Sequence, residues 1–525
     1  MGDAVAERRA TARSRPFLLP LLSGVLLTLS FPKYGHPIVA WLALTPLLVH
    51  LSWVARDAGR GLPGFAGGLV CGIAYFAGTV YWTSGVMARY GGIDLPLAIA
   101  IAGLLVAVLA LFTAAFGAAQ AMLLRGFGHR ALLMAPAVWV TTELARTWVL
   151  GGFPWVLLGY SQTTVLPVAQ IASVVGVYGL SALVAFASAA LAMAIVGHGV
   201  WRWLPVAAAV GVVSVSALWG AARLGDGRLL ASGPAVRVGL VQGNVPQDRK
   251  WDPEYANEIL WRYLDASREA ADRGARLIIW PESATPFYYQ HSPQAEAIRQ
   301  LARERGVWML LGSDELDPRQ PAVSYNSAFL VRPDGSTAGV YRKVQLVPFG
   351  EYVPFKRLLF FAKPLVEAVS DFAPGAAPVM LPFAGGPVST AICYEVVYPA
   401  LIREGVMQGS TLLTTITNDA WFGRSSAPYQ HFEMAALRAI EHGRYLARAA
   451  NTGISGVVDP YGRVLQASDL FVERVLVEDV RLIEERTVYA RVGDIAASAS
   501  ALLTVVGLVA AWGAGRRTVR PSRAV

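Results

Sequence analysis

The most informative stretch of this chain is Val388-Ser389-Thr390-Ala391-Ile392-Cys393-Tyr394-Glu395. It begins as a short run of apolar and β-branched residues, which is typical of a buried strand, and it turns polar after Cys393. Cys71, the other of only two cysteines, lies in a long apolar segment, so no disulfide between them is expected. Burial as a small hydrophobic residue explains Cys71 better than Cys393, which leaves Cys393 as a candidate nucleophile.

The composition predicts a membrane protein with one soluble domain. Of the 525 residues, 54% are hydrophobic and 15% are charged, whereas about 25% are charged in soluble proteins. Residues before about 225 and after about 495 are mostly apolar, and residues 234–490 have an ordinary globular composition. The net charge of +9 does not indicate nucleic-acid binding, because the arginines cluster at the ends of apolar segments. No zinc spacing, P-loop or Rossmann glycine pattern occurs, so no metal or cofactor is expected.

The apolar regions predict eight membrane-spanning helices, since a span needs roughly 20 apolar residues. Seven precede the soluble domain within 17–225 and one follows it, at residues 17–32, 37–55, 63–88, 94–124, 131–150, 165–197, 203–222 and 495–514. Basic segments, 1–16 and 515–525, flank the whole, and Lys and Arg mark cytoplasmic loops. Both termini are therefore predicted to be cytoplasmic. An odd number of spans then places the domain at 234–490 on the extracytoplasmic side.

The soluble domain alternates between strand-like and helix-like segments, which indicates an α/β layered fold. Strands are predicted at 236–242, 277–280, 307–311, 327–331, 388–392 and 412–417, and helices at 253–273, 294–305 and 428–446. Turns are predicted at 332–335 and 459–462, which contain Pro, Asp and Gly.

Three residues form a candidate catalytic set: Glu282, Lys343 and Cys393. Each alone has a structural explanation, as a helix cap, a surface charge or a core residue. Glu282 and Cys393, however, directly follow buried-type strands, and ligand sites in α/β sheets lie beyond the carboxyl ends of strands. Lys343 precedes residues 344–354, which are too rich in Pro and Gly for an ordinary helix or central strand.

These residue types predict acyl transfer through a thioester. A thiol is mostly protonated at neutral pH, so Glu282 would act as the general base. The Lys343 ammonium would stabilise the oxyanion, with help from the backbone N–H of Tyr394, and an acyl group would be left on Cys393. The long apolar segments suggest that this acyl group comes from a lipid.

The motifs also resemble a known family. Trp280-Pro281-Glu282, Tyr341-Arg342-Lys343 and Cys393-Tyr394-Glu395 resemble the Glu-Lys-Cys signature of the nitrilase superfamily. Nearly the whole chain is similar to apolipoprotein N-acyltransferases of bacterial inner membranes, above all at residues 241–247 with 250–251, 346–354, 417–423, and 152–155 with 159–162.

The resemblance implies a nitrilase-like αββα sandwich held on the extracytoplasmic face by eight helices. It implies a phospholipid acyl donor, often phosphatidylethanolamine, and as acceptor the α-amino group of a diacylglyceryl-cysteine at a lipoprotein N-terminus. Glu351 would support the site. Trp251, Tyr394 and Glu395 would line it or shape substrate access.

Several further residues carry weaker hypotheses. Residues 355–366, rich in Phe and Leu, are either a lipid-contacting lid or a core helix, and Trp421 with Phe422 either line the path of the acyl chain or belong to the core. Glu143 and Arg146, charged residues within a predicted span, would pair with each other or bind a phospholipid head group. His431 and His442 are expected to be structural or on the surface, and Asn451 and Ser455 to shape the site or a turn.

Two alternative functions use the same residues differently. A membrane-tethered amidase or esterase would pass the acyl group to water, since only the second nucleophile differs. A non-catalytic lipid-binding protein with a relic site is disfavoured by the complete Glu-Lys-Cys set.

Overall fold

The computed structural model describes residues 17–55, 62–348, 350–352 and 372–518, with side chains up to residue 514. The predicted lid at 355–366 lies outside the described residues, as do the basic segment 1–16 and most of 515–525.

The apolar regions form helices, as their composition predicts. Several of these helices have Pro in the first turn, where its missing N–H has no partner to lose. In chain order they are Leu18–Thr28 (α1), Pro37–Ala43 (α2), Thr45–Val54 (α3), Leu62–Val80 (α4), Trp82–Tyr90 (α5), Leu95–Phe127 (α6), Ala135–Trp148 (α7), Leu166–Ala169 (α8), Ala172–Val196 (α9) and Leu204–Asp226 (α10). A further long helix follows the soluble domain.

Six helical stretches among the described residues are long and apolar enough to cross a membrane, so the chain is a multi-pass membrane protein. They are Pro37–Val54, Leu62–Val80, Leu95–Gly151, Ala172–Val196, Val200–Ala231 and Ile495–Ala514. The spans predicted at 94–124 and 131–150 fall within one of these stretches, and the first apolar helix, Leu18–Thr28, is shorter. The number of crossings therefore stays a prediction.

Glycines allow α4 and α6 to pack backbone against backbone. A Cβ atom on Gly68 would overlap the carbonyl oxygen of Thr113, and one on Gly117 would overlap that of Gly64. Small residues at contacts of this kind are the usual means of bringing membrane helices close together.

The soluble domain contains two mixed sheets. Their strands, as far as the structure describes the chain, are Ala235–Gln242 (β1), Leu277–Ile279 (β2), Trp308–Leu316 (β3), Ser324–Val331 (β4), Thr337–Arg342 (β5), Val388–Ile392 (β6), Leu412–Thr417 (β7), Leu446–Ala450 (β8), Gly456–Val458 (β9), Val464–Ala467 (β10) and Arg474–Arg481 (β11). The first sheet has the strand order β11-β1-β2-β3-β4-β5 and the second has β10-β9-β8-β7-β6.

The sheets stack face to face between helices, which makes the αββα sandwich that the family resemblance implies. Along β1 and β2, Leu240 and Ile279 belong to the hydrophobic core between the sheets, whereas Val241 and Ile278 pack on the outer side against helical residues such as Leu260. This alternation follows from the two-residue period of a strand. The helices are Ala256–Asp272 (α11), Ala295–Arg305 (α12), Pro399–Met407 (α13), Ala427–His442 (α14), Val488–Val492 (α15) and Ile495–Thr518 (α16).

The predicted strands and helices of the soluble domain are confirmed, but one helix ends earlier than predicted and four strands were not predicted. The strands at 388–392 and 412–417 have the predicted bounds, and both predicted turns connect antiparallel strands. The helix predicted at 428–446 ends earlier, at His442, because Gly443 adopts a left-handed conformation with φ of 61°. Residues 446–450 form β8, and β5, β9, β10 and β11 were not predicted.

Helix α14 joins the soluble domain to the membrane helices. Nearly all its residues are buried, because it lies between the second sheet and α9. Arg438 Nη2 donates to the Tyr160 hydroxyl at 2.8 Å, and Glu441 Oε1 accepts from the backbone N–H of Val177 at 2.8 Å. Arg438 and Glu441 also form a fully buried ion pair of 2.7 Å. A buried pair of this kind loses stability when one partner is removed, since the other charge stays buried.

We therefore expect Arg438→Met to lower the free energy of unfolding by about 3–5 kcal/mol. Glu441→Gln in the same chain should recover part of the loss, because the amide oxygen still accepts from Val177. Chemical denaturation in detergent micelles measures both. Arg237→Met is the control, because its ion pair with Asp479 is solvent-exposed. A similar loss in the control and in R438M would contradict this account.

Candidate active site

Cys393 lies at the sharp turn between β6 and a short 3₁₀ helix, Cys393–Val397. Its φ of 53° is in the left-handed region, which a non-glycine residue adopts only where its surroundings impose it. The side chain is buried. The backbone carbonyl of Cys393 lies 3.1 Å from Nε2 of His431 on α14. The turn therefore ends a buried strand of the second sheet and places a buried thiol at its carboxyl end.

Glu282 follows β2 of the first sheet, at a second constrained turn. Ser283 has φ of 44°, and Gly312 of β3 packs so closely that a Cβ atom would overlap Pro281, Glu282 and Ser283. The carboxylate accepts from Asn326 Nδ2 at 2.7 Å through Oε1, and from the backbone N–H of Asn418 at 2.9 Å through Oε2. Glu282 is thus fixed by residues from both sheets.

Lys343 follows β5 and is almost completely buried. Its ammonium lies 3.2 Å from Oε1 of Glu282 and 2.8 Å from Oε1 of Glu351. Asn326 donates to both of these carboxylates, at 2.7 and 2.9 Å. Two carboxylates can approach each other this closely because the cation and the amide lie between them.

The burial and the charges determine the resting protonation states. Burial is the largest influence and opposes the charged forms of Glu282 and Lys343. The charges and hydrogen bonds around each group, which include their mutual attraction, Asn326 and Lys250 for Glu282 and Glu351 for Lys343, together outweigh it, so the pKa of Glu282 is lowered and that of Lys343 is raised. Burial and the Glu282 charge raise the pKa of the Cys393 thiol, while Lys343 lowers it. The resting site therefore holds a carboxylate and an ammonium, and both charges act on the neutral thiol of Cys393.

Glu395 connects the Lys343 segment to the Cys393 turn. Its Oε1 accepts from the Tyr341 hydroxyl and from the backbone N–H groups of Val344 and Gln345, at 2.7–3.0 Å. Its Oε2 accepts from the backbone N–H of Ile392 at 2.7 Å. The residue is completely buried, and its contacts hold these two segments together.

The other predicted residues lie around this set. Tyr394 is buried next to Cys393, and its ring is nearly parallel to that of Trp155, 6.3 Å away. Trp251 is 47% exposed and Trp421 is 38% exposed. Trp421 packs edge-on against Tyr90 at the end of α5, so it lies where the soluble domain meets the membrane helices.

Two contacts of the site were not predicted from the sequence. Asn326 lies inside β4, where nothing distinguishes it from other polar strand residues. Lys250 is buried and donates to the Glu282 carbonyl at 3.1 Å, and burial lowers its pKa to about 8. His431, which was expected to be structural or on the surface, is fully buried, and its Nδ1 lies 3.0 Å from Oδ1 of Asp419.

The aromatic residues beside Cys393 form one continuous cluster with the membrane part. We call this cluster the aromatic junction; it consists of Trp82, Phe153, Trp155, Tyr394, Phe422 and His431, whose rings lie 4.8–6.3 Å apart. Trp82 begins α5, and Phe422 belongs to the soluble domain. A continuous and largely buried aromatic cluster therefore extends from Tyr394, next to Cys393, to the membrane helices.

Comparison with known proteins agrees with this arrangement. The family description carbon-nitrogen hydrolase matches residues 237–488, and apolipoprotein N-acyltransferase N-terminal domain matches residues 23–190. The apolipoprotein N-acyltransferase of Geobacter metallireducens is 41% identical over 492 residues, which cover 92% of each chain. That of Methylococcus capsulatus is 36% identical and covers 91% of this chain and 93% of its own.

The chain belongs to the apolipoprotein N-acyltransferase family. It is an acyltransferase enzyme with a carbon–nitrogen hydrolase domain in a multi-pass membrane protein. Among solved structures, an amidase from Nesterenkonia sp. is 26% identical, with a TM-score of 0.37 over 47% of this chain and 91% of its own.

The charges around Cys393 predict opposite effects of two substitutions on thiol reactivity. Glu282→Gln removes a negative charge that raises the thiol pKa, so the pKa should fall and alkylation by iodoacetamide at pH 8 should become at least about threefold faster. Lys343→Gln removes a positive charge, so the thiol pKa should rise and alkylation should become slower. Mass spectrometry of the Cys393 peptide over time measures both rates from pH 6 to pH 10.

Glu254→Gln serves as the matched control, since it removes an exposed carboxylate of the same domain. It should leave the alkylation rate unchanged. Slower alkylation in E282Q, or faster alkylation in K343Q, would show that these groups do not set the electrostatics of the thiol.

Proposed function

We propose that this enzyme transfers a fatty acyl chain from a phospholipid to the N-terminal amine of a diacylglyceryl-modified lipoprotein, through a thioester on Cys393. Relatives that cover more than nine-tenths of the chain carry the name apolipoprotein N-acyltransferase, which supports the acceptor. The observation that carries the mechanism is the buried Lys343 ammonium between Glu282 and Glu351. Its charge acts on the Cys393 thiol.

In the first step Glu282 takes the thiol proton while the sulfur of Cys393 attacks the ester carbonyl of the donor. The Lys343 ammonium stabilises the negative charge that develops on the carbonyl oxygen, an effect of about 3–4 kcal/mol for one well-placed donor. The carbon–oxygen ester bond then breaks, and Glu282 returns the proton to the leaving alcohol. A lysophospholipid departs, and the acyl chain stays on sulfur.

In the second step the acceptor amine attacks the thioester. Glu282 takes a proton from the nitrogen, the carbon–sulfur bond breaks, and the thiol recovers its proton as the amide forms. Water would compete with the amine, so the site must exclude it. The burial of Glu282, Lys343 and Cys393 is consistent with this requirement.

The remaining residues have supporting roles in this proposal. Glu351 holds the Lys343 ammonium in place, and Glu395 maintains the spacing between Lys343 and Cys393. Tyr394, Trp251 and Trp421 contact the lipid substrates. The aromatic junction supports a donor that arrives from the bilayer, and phosphatidylethanolamine is the donor that we propose.

The membrane orientation is part of the proposal. The enzyme lies in the bacterial inner membrane with both termini in the cytoplasm, and the seven spans within 17–225 and the eighth at 495–514 place the domain at 234–490 in the periplasm. The arginines at segment ends support this arrangement.

A two-stage assay tests the chemistry. Incubation of the enzyme with phosphatidylethanolamine alone should add one acyl chain to Cys393, visible by intact mass. After washing, a synthetic diacylated lipopeptide should remove it and become N-acylated. Cys393→Ala should lose both steps, whereas Cys71→Ala, the matched control, should retain them because Cys71 is buried within α4.

Two results would contradict the proposal. Active enzyme without an adduct would exclude the thioester. Release of free fatty acid without acylation of the peptide would favour a membrane-tethered esterase or amidase, and normal function of C393A would favour a non-catalytic role.

Cysteine labelling tests the orientation. A membrane-impermeant maleimide applied to intact spheroplasts should label Gln320→Cys, in an exposed loop of the domain, but should label Ser522→Cys only after lysis. The parent protein, whose two cysteines are buried, sets the background. The reverse pattern would place the domain in the cytoplasm.

A further inference from the structure

Two buried charged residues of α7, Glu143 and Arg146, were expected to pair with each other or to bind a lipid head group. Each instead bonds to the backbone of the loop that follows the helix. Arg146 Nη1 donates to the carbonyls of Phe153 at 3.0 Å and Trp155 at 2.6 Å. Glu143 Oε1 accepts from the backbone N–H of Leu158 at 2.7 Å and from Trp139 Nε1 at 3.0 Å. Among the described residues, no ion pair joins Glu143 to Arg146.

The loop they hold, residues 150–157, has an unusual backbone. Leu150 and Val156 have φ of 58° and 49°, and Gly151 and Gly152 also have positive φ. A left-handed conformation is unfavourable for a non-glycine residue, and it persists only where the surroundings impose it. The bonds from Arg146 and Glu143 act on either side of Val156. The backbone N–H of Phe153 also donates to the Arg146 carbonyl at 2.8 Å.

The same loop contacts the residues next to the nucleophile. The carbonyl of Gly152 accepts from the hydroxyls of Tyr394 at 3.3 Å and Tyr398 at 3.1 Å. Trp155 stacks on Tyr394, which directly follows Cys393, and the Phe153 ring packs against Tyr394 at a tilt. The loop thus supplies the membrane-side part of the aromatic junction.

We propose that Glu143 and Arg146 are positioning residues for the phospholipid donor. The hydrogen bonds of these two side chains hold loop 150–157 in its strained shape, so that Phe153, backed by the buried Trp155, lines the path along which the acyl chain reaches Cys393. Neither residue takes part in the chemistry, because both act through the loop backbone. The link between the loop and the donor rests on the proposed acyl transfer from phospholipid, whereas the holding of the loop does not.

This arrangement predicts a specific kinetic effect. Arg146→Met should raise the KM for phosphatidylethanolamine in acyl-enzyme formation at least tenfold and change kcat less than threefold. Arg146→Lys should be intermediate, because a single ammonium can replace only part of the donation. Glu143→Gln should resemble the wild type, since its amide oxygen still accepts from Leu158, whereas Glu143→Ala should resemble R146M.

Hydrogen–deuterium exchange provides a readout that does not depend on activity. In R146M and E143A, peptides covering 150–158 should exchange at least tenfold faster, while peptides around Cys393 and Glu282 should keep their wild-type rates. Alkylation of Cys393 by iodoacetamide should also stay within twofold of the wild type. Arg223→Met is the matched control, since this half-buried arginine of α10 bonds to Gln170 and not to the loop; it should change none of these readouts.

Each outcome distinguishes the two proposals. Unchanged exchange in the loop, or faster exchange throughout the protein, would overturn the positioning role. Faster loop exchange with an unchanged KM would overturn its link to the donor. If the wild type forms no acyl adduct, the proposed function fails, and the exchange data still decide whether Glu143 and Arg146 hold the loop.

Discussion

The buried ammonium of Lys343 is the interaction on which the rest of the site depends. Desolvating such a cation costs several kcal/mol, and only well-placed negative charges offset this. Glu282 and Glu351 provide them, and Asn326 bonds to both carboxylates. Asn418 completes the shell of Glu282 from the second sheet. The charged groups follow strands of the first sheet, and the second sheet adds the Asn418 N–H, so the complete set of bonds to Glu282 forms only when both sheets are assembled.

The same physics extends toward the membrane. Helix α14 is buried on nearly every side because the sheet covers one face and membrane helices cover the other. Its charged residues are satisfied across this boundary, as Arg438 and Glu441 show. Loop 150–157 meets the same boundary beside Cys393. The soluble domain is therefore packed against the membrane part at the site itself, which suits a reaction whose donor is a lipid.

Local sequence predicted those strands whose environment is uniform. Residues 388–392 and 412–417 are apolar, β-branched and buried on both faces, and their bounds were predicted correctly. Strand β5 is largely half-buried, so its pattern was weaker. Strand β8 contains Arg448, whose charge pairs with Asp419 inside the core, and its sequence continues the composition of α14. Residues 443–445 connect the two elements, and it is the left-handed Gly443 that ends the helix.

The sequence by itself determined the membrane character, the α/β alternation and the residue types Glu282, Lys343 and Cys393, because each depends on local composition or on a motif. The tertiary structure alone decided which groups complete the set. Asn326 has no distinguishing pattern in the sequence, Lys250 stands in a motif without a stated role, and the partners of His431, Glu143 and Arg146 were left open. Their roles depend on which atoms burial leaves without water, and only the packed fold determines that.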